Sequence, residues 1–130
     1  MKGWENEGLV KPLGFRSDIA DLFSKSNIII LPSFYGEGLP KVLIEAAACG
    51  RAVITTDHPG CRDAVESNTG ILVPIKNYEA LAEAIQNLIQ DSKKRQRMGL
   101  AGRQLAELEF SIEKVVASHI QIYHKLLLEV

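Results

Sequence analysis

Residues 28–50 read Ile28-Ile29-Ile30-Leu31-Pro32-Ser33-Phe34-Tyr35-Gly36-Glu37-Gly38-Leu39-Pro40-Lys41-Val42-Leu43-Ile44-Glu45-Ala46-Ala47-Ala48-Cys49-Gly50, and the order of elements in this stretch decides the fold. The β-branched run Ile28 to Leu31, stopped by Pro32, has the unbroken apolarity of a short strand covered on both faces of a parallel sheet. Gly36 and Gly38 supply a turn, after which Pro40 suits the first helical position, where its missing amide hydrogen is no loss. Alanine-rich sequence then carries a helix to Gly50, a residue suited to the left-handed turn that ends helices. Ala52-Val53-Ile54-Thr55 is the next strand. Strand, loop, helix and strand in this order predict an α/β fold with a Rossmann-like parallel sheet and flanking helices.

Within that unit two carboxylates are out of keeping with simple packing. Glu45 interrupts the apolar run Val42 to Cys49, and burying an ionised group costs several kcal/mol unless donors satisfy it. Glu37 falls in the loop beyond the carboxyl end of the first strand, where open α/β sheets bind ligands. Free amide hydrogens and the positive pole of the following helix favour phosphate there, and Gly38 has no Cβ to keep a ligand from the backbone. Glu45, about two turns on at roughly 1.5 Å per residue, reaches toward the same crevice and can accept hydrogen bonds from a diol. A phosphate at a helix tip and a carboxylate for vicinal hydroxyls describe a nucleotide site.

These residues resemble a known family. Glu37 and Glu45 with seven residues between them, set in Pro32-Ser33, Glu37-Gly38-Leu39-Pro40 and Glu45-Ala46-Ala47-Ala48-Cys49-Gly50, are similar to the E-x7-E signature of retaining glycosyltransferases of the GT-B fold. Leu13-Gly14-Phe15 with Asp18-Ile19, Thr56-Asp57-His58-Pro59-Gly60, Gly70-Ile71-Leu72-Val73-Pro74, and Phe110-Ser111 with Tyr123 resemble further blocks of that family's carboxyl-terminal domain. The resemblance implies that Glu45 binds the ribose hydroxyls and that Glu37 meets the transferred sugar as the catalytic carboxylate. It implies that Gly38 and Leu39 offer amides to the diphosphate, and that the turn Gly14-Phe15-Arg16, after a first strand near Leu9-Val10-Lys11, holds the base. Pro40 departs from the pattern, standing where many members have a second glycine.

The larger departure lies at the amino end. The resembled domain begins with two more strand-helix units and an Arg/Lys pair for the diphosphate, and a separate amino-terminal domain binds the acceptor. On this reading residues 1–130 are a single, incomplete nucleotide-sugar-binding domain, and neither Lys41 nor Arg51 stands at the position of that clamp. The implied function is donor binding for retaining glycosyl transfer in bacterial surface polysaccharide or lipid-linked glycan synthesis. The partners are a nucleotide sugar and, through the missing domain, a lipid-linked or glycan acceptor. A non-catalytic nucleotide-sugar-binding fragment or split subunit stays open as the alternative. In the resembled strand order 3-2-1-4-5-6 the absent units fall between the strand near Leu9 and the strand Ile28 to Leu31. The chain is therefore expected to pair these two strands directly or to form a homo-oligomer through the open edge or its last helix.

Bulk properties narrow the remaining classes. One domain fits in 130 residues. Fifteen Lys and Arg against sixteen Asp and Glu, a formal net charge of −1, give no electrostatic case for nucleic acid. No run approaches the roughly 18 apolar residues of a membrane span, and Met1 to Asn6 is too polar for a signal peptide, so the expected location is cytoplasmic, with the inner membrane surface as a peripheral station. Cys49, at a helix end, and Cys61, in a loop, have no metal-ligand spacing, so reduced thiols and no metal or other cofactor are expected. Ser33 lacks the Gly-x-Ser-x-Gly setting of a hydrolase, and no G-x-G-x-x-G marks a dinucleotide site.

Asn77 reads as the N-cap of a helix with Leu81, Ile85, Leu88 and Ile89 on one face, and a polar helix follows from about Lys93. Lys93-Lys94-Arg95 and Arg97 read as a solvated helix face or, more sharply, as a contact for an anionic surface. The final helix, opened by Phe110-Ser111, carries the stripe Ile112, Val115, Val116, Ile120, Tyr123 and Leu127. His119 and His124 lie on it without carboxylate or thiol neighbours. His58 falls in a loop facing the cleft.

Overall fold

The structure, a computed structural model, describes residues 2–35 and 38–129. The elements run α1 (Lys2–Asn6), α2 (Ile19–Ser24), β1 (Ile28–Leu31), α3 (Lys41–Ala48), β2 (Ala52–Thr56), α4 (Pro59–Ala64), β3 (Gly70–Val73), α5 (Tyr78–Gln90), α6 (Ser92–Glu109) and α7 (Ile112–Leu128). The three strands are parallel in the order β1-β2-β3, with Ile29 opposite Val53 and Val53 opposite Gly70. This is the expected α/β sheet with flanking helices.

Successive side chains of a strand point to opposite faces, and here both faces are covered. Ile29 and Val53 meet Phe23 of α2, Leu43 and Ala46 of α3, and Cys61 and Ala64 of α4. Ala52 and Ile54 meet Val73, Ala84 and Leu88 of α5, and Met98 of α6. Leu43, Ile54 and Leu88 are fully buried, each contributing about 1.5–3 kcal/mol of hydrophobic stabilisation. All five positions of β2 are buried, which is why its sequence lacks polar alternation.

The end of α3 fixes how α6 can lie. Gly50 takes φ +69° as the residue after the cap, its amide donating to Ala47 O at 2.9 Å. A Cβ built on Gly99 of α6 would stand 2.1 Å from Gly50 O, so α6 crosses α3 at a distance that only glycine permits. Arg103 of α6 donates from Nη1 to Ala48 O at 2.5 Å and caps the same helix end.

Four expectations change. Residues 9–11 form no strand. The amides of Leu9 and Val10 turn back onto Trp4 O at 2.9 and 3.4 Å, which occupies the donors a ladder would need. β1 accordingly pairs with β2 alone, and among the described residues no strand lies on its other edge, so direct pairing with the Leu9 segment does not occur. Pro40 is the N-cap of α3 rather than its first residue. With ψ 122° it stays extended while its carbonyl accepts from Leu43 N at 3.1 Å. Cys61 lies not in a loop but fully buried in the short helix α4, which Pro59 opens from the N-cap His58.

The last helix forms as predicted but contributes no buried residue. Ile112, Val115, Val116, Ile120, Tyr123 and Leu127 are all exposed. Both cysteines are free. Among the described residues no helix is long and apolar enough to cross a membrane.

Candidate donor site

The carboxyl ends of three parallel strands open on one crest, and the loop leaving β1 is held there by side chains of β2. Thr55 Oγ1 donates to Leu31 O at 2.8 Å, and Thr56 Oγ1 donates to Ser33 O. Both threonines are buried, so these bonds are shielded from water. On the same crest Asp57 N donates to Val73 O at 2.8 Å and ties β2 to β3. Ser33 Oγ and His58 Nδ1, also at the ends of β1 and β2, are buried with no hydrogen-bond partner among the described residues. They are unspent capacity for a polar ligand.

Glu37 lies outside the described residues. Gly38 and Leu39 are exposed at the mouth of α3, and a Cβ built on Gly38 meets nothing among the described residues within 4 Å, so the backbone there is open to an approaching group. Because α3 begins at Lys41, Glu45 sits just over one turn into the helix rather than deep within it. Its side chain is 36% exposed, half in and half out of the apolar run. Among the described residues its one ion-pair partner is Lys41 Nζ at 3.9 Å, on an 88% exposed side chain. A solvated i,i+4 pair of this length contributes at most a few tenths of a kcal/mol and leaves the carboxylate oxygens available to a diol.

Glu45 also forms one wall of a cavity of about 390 Å³ whose other walls are Ser17, Ile19, Ala20, Ala48 and Cys49. The structure thereby joins α3 to the segment that enters α2. Of the predicted base-holding turn, Gly14 takes φ +64° and Phe15 is 97% exposed. Arg16 folds onto Asp18, its Nε and Nη2 donating to the two carboxylate oxygens at 2.7 and 2.5 Å. This bidentate bond holds the Asp18 carboxyl at about 2, well below the usual carboxylate range, and raises the Arg16 guanidinium in turn. Gly14, Phe15 and Arg16 do not line the cavity; the residues immediately after them do.

Three features escaped the sequence. The anchoring bonds of Thr55 and Thr56 had no signal, since Thr55 read as the end of a strand and Thr56 as the start of the loop after it. The pairing of Arg16 with Asp18 is a second; Asp18 stands at the N-cap of α2, but its side chain makes no cap bond and goes to Arg16 instead. The third is a cavity of about 200 Å³ on the crest, floored by Pro32, Thr56, Val73 and Leu81 and rimmed by Phe34 and Lys76. Lys76 takes φ 57°, and its Nζ lies 5.0 Å over the Phe34 ring.

Residues 3–105 match the family described as "Glycosyl transferases group 1". An N,N'-diacetylbacillosaminyl-diphospho-undecaprenol alpha-1,3-N-acetylgalactosaminyltransferase of Campylobacter jejuni is 34% identical over 123 residues, covering 94% of this chain and 32% of that protein. Among solved structures, sucrose-phosphate synthase from Thermosynechococcus elongatus superposes with a TM-score of 0.86 at 29% identity, over 99% of this chain and 34% of the other. Anabaena Alr3699/HepE in complex with UDP-glucose gives 0.82 at 29% identity, over 96% and 35%. The chain thus spans about a third of the length of the relatives it matches.

Proposed function

The chain belongs to the group 1 glycosyltransferases, and from that premise we propose that it is the donor-binding part of a retaining glycosyltransferase. It takes a nucleoside diphosphate sugar along the carboxyl crest of its sheet. The observation that carries this reading is Glu45, a half-buried carboxylate one turn inside α3, lining a cavity and paired among the described residues only with the solvated Lys41 at 3.9 Å. In the proposed complex the Glu45 oxygens accept from the ribose diol. The diphosphate lies at the mouth of α3, against the amides of Gly38 and Leu39, where the helix pole favours negative charge. Glu37 meets the sugar. Stabilising the departing diphosphate lowers the barrier to breaking the glycosidic bond, because these fixed dipoles favour the charge that develops there.

The UDP-glucose complex of the Anabaena neighbour supports a uridine nucleotide as the donor, and the undecaprenol-linked glycan in the name of the Campylobacter relative supports a lipid-linked acceptor. Isothermal titration with UDP tests the site. Replacing Glu45 by Gln removes a hydrogen-bonded charge worth about 1.5–3 kcal/mol, a roughly ten- to hundredfold loss of affinity with the fold unchanged. Equal affinities for the two proteins would remove the ribose assignment. The chain's span of about a third of its relatives favours a second reading, donor binding without turnover by these residues alone. A labelled-donor transfer assay on the same sample separates the two.

A further inference from the structure

The amino end of the sheet, opposite the crest, holds a second polar cavity. It measures about 160 Å³ and is lined by Asn27 before β1, by Gly50, Arg51 and Ala52 at the entry to β2, and by Ser92, Arg95 and Gln96 in the first turns of α6. We propose that this cavity is a binding site for a compact phosphate oxyanion, separate from the donor site.

Four observations converge on it. Arg51 Nε is buried and has no hydrogen-bond partner among the described residues, an arrangement that leaves a charged donor unsatisfied until an acceptor enters. Among the described residues no carboxylate lies within ion-pair distance of Arg51 or Arg95, so the cavity carries two uncompensated guanidiniums. Arg95 is fixed in place, its Nη1 donating to Leu88 O at 2.5 Å and Ile89 O at 2.7 Å, which caps α5 and keeps the cation at the cavity wall. The cavity opens at the start of α6, an 18-residue helix whose positive pole adds to the same field. Asp91, which precedes Ser92 in the chain, has a side-chain oxygen engaged with Lys94 N at 2.9 Å as the cap of that helix. The room suffices for several waters at about 30 Å³ each, or for one tetrahedral anion. A guanidinium fork suits a phosphate better than it suits water, because it presents parallel donors to two oxygens.

The basic run Lys93-Lys94-Arg95 extends from the same helix start, so the phosphate can come free in solution or on a lipid headgroup. Phosphorus NMR with inorganic phosphate, against chloride at matched ionic strength, reads the first source; flotation with phosphatidylglycerol vesicles, against phosphatidylcholine, reads the second. Arg51→Met removes the unpaired donor. Gln96→Glu places a carboxylate on the rim at an exposed helix position, so it tests the site even where Arg51→Met folds poorly. Saturable binding from either source, weakened about tenfold or more in the folded variants, is the expected result. No saturable response to either source, or binding that both variants leave unchanged, overturns the proposal. Neither residue belongs to the crest, so UDP titration stays at the wild-type value whichever way this test falls.

Discussion

Asp18 and Arg16 form a fork of two short bonds on the surface, and each shifts the titration of the other. With its folded pKa held at about 2 by Arg16, against an ordinary aspartate near 3.9, Asp18 lends the turn a stabilisation that is complete above about pH 4 and is lost as pH falls through about 2. Carboxyl carbon NMR on a pH series should show the Asp18 midpoint near 2 and, in Arg16→Gln, a return to the ordinary range. A midpoint unchanged by that substitution would mean that the fork is not what depresses it. At this scale the sequence was readable where chemistry conflicted with surroundings. Glu45 announced itself as a charge in an apolar run, whereas Thr55 and Thr56 did nothing unusual, and only their neighbours' carbonyls show what they hold.

Elements were legible where periodicity was long and hidden where it was short. α5 and α7 carry three or more turns of apolar repeat, and β1 and β2 are short runs dominated by β-branched residues, so each formed where expected. α4 has six residues and opens on Pro59-Gly60, which reads as a turn because too few residues follow to show a helical period. The segment at Leu9 failed as a strand for a different reason, since a ladder needs a neighbour and its amides found Trp4 O first. The tightest constraint between elements is also invisible in any single one. Gly99→Ala puts a methyl 2.1 Å from Gly50 O, with backbone on both sides and no flexible chain to yield. Urea unfolding should show a loss of about 2 kcal/mol or more, in the upper range for overpacking. A variant as stable as wild type would mean that α6 can slide on α3.

Over the whole molecule, stability is distributed unevenly. β2 is buried along its length and flanked by both other strands, while the 17 residues of α7 bury none of their side chains. A helix of that length holds only marginally in water without packing. Hydrogen exchange should therefore find β2 amides opening only with global unfolding and α7 amides exchanging orders of magnitude faster. Comparable protection in α7 would reveal a contact that this chain makes in solution and that the fold as described does not contain. The two hydroxyl bonds from β2 to the segment leaving β1 lead further. A loop whose root is fastened by the side chains of an adjacent strand does not have to encode its own position. Under the proposed donor reading, substitutions beyond that root alter ligand contacts while the fastened root stays fixed, so specificity can diverge among descendants of this chain without renegotiating the fold.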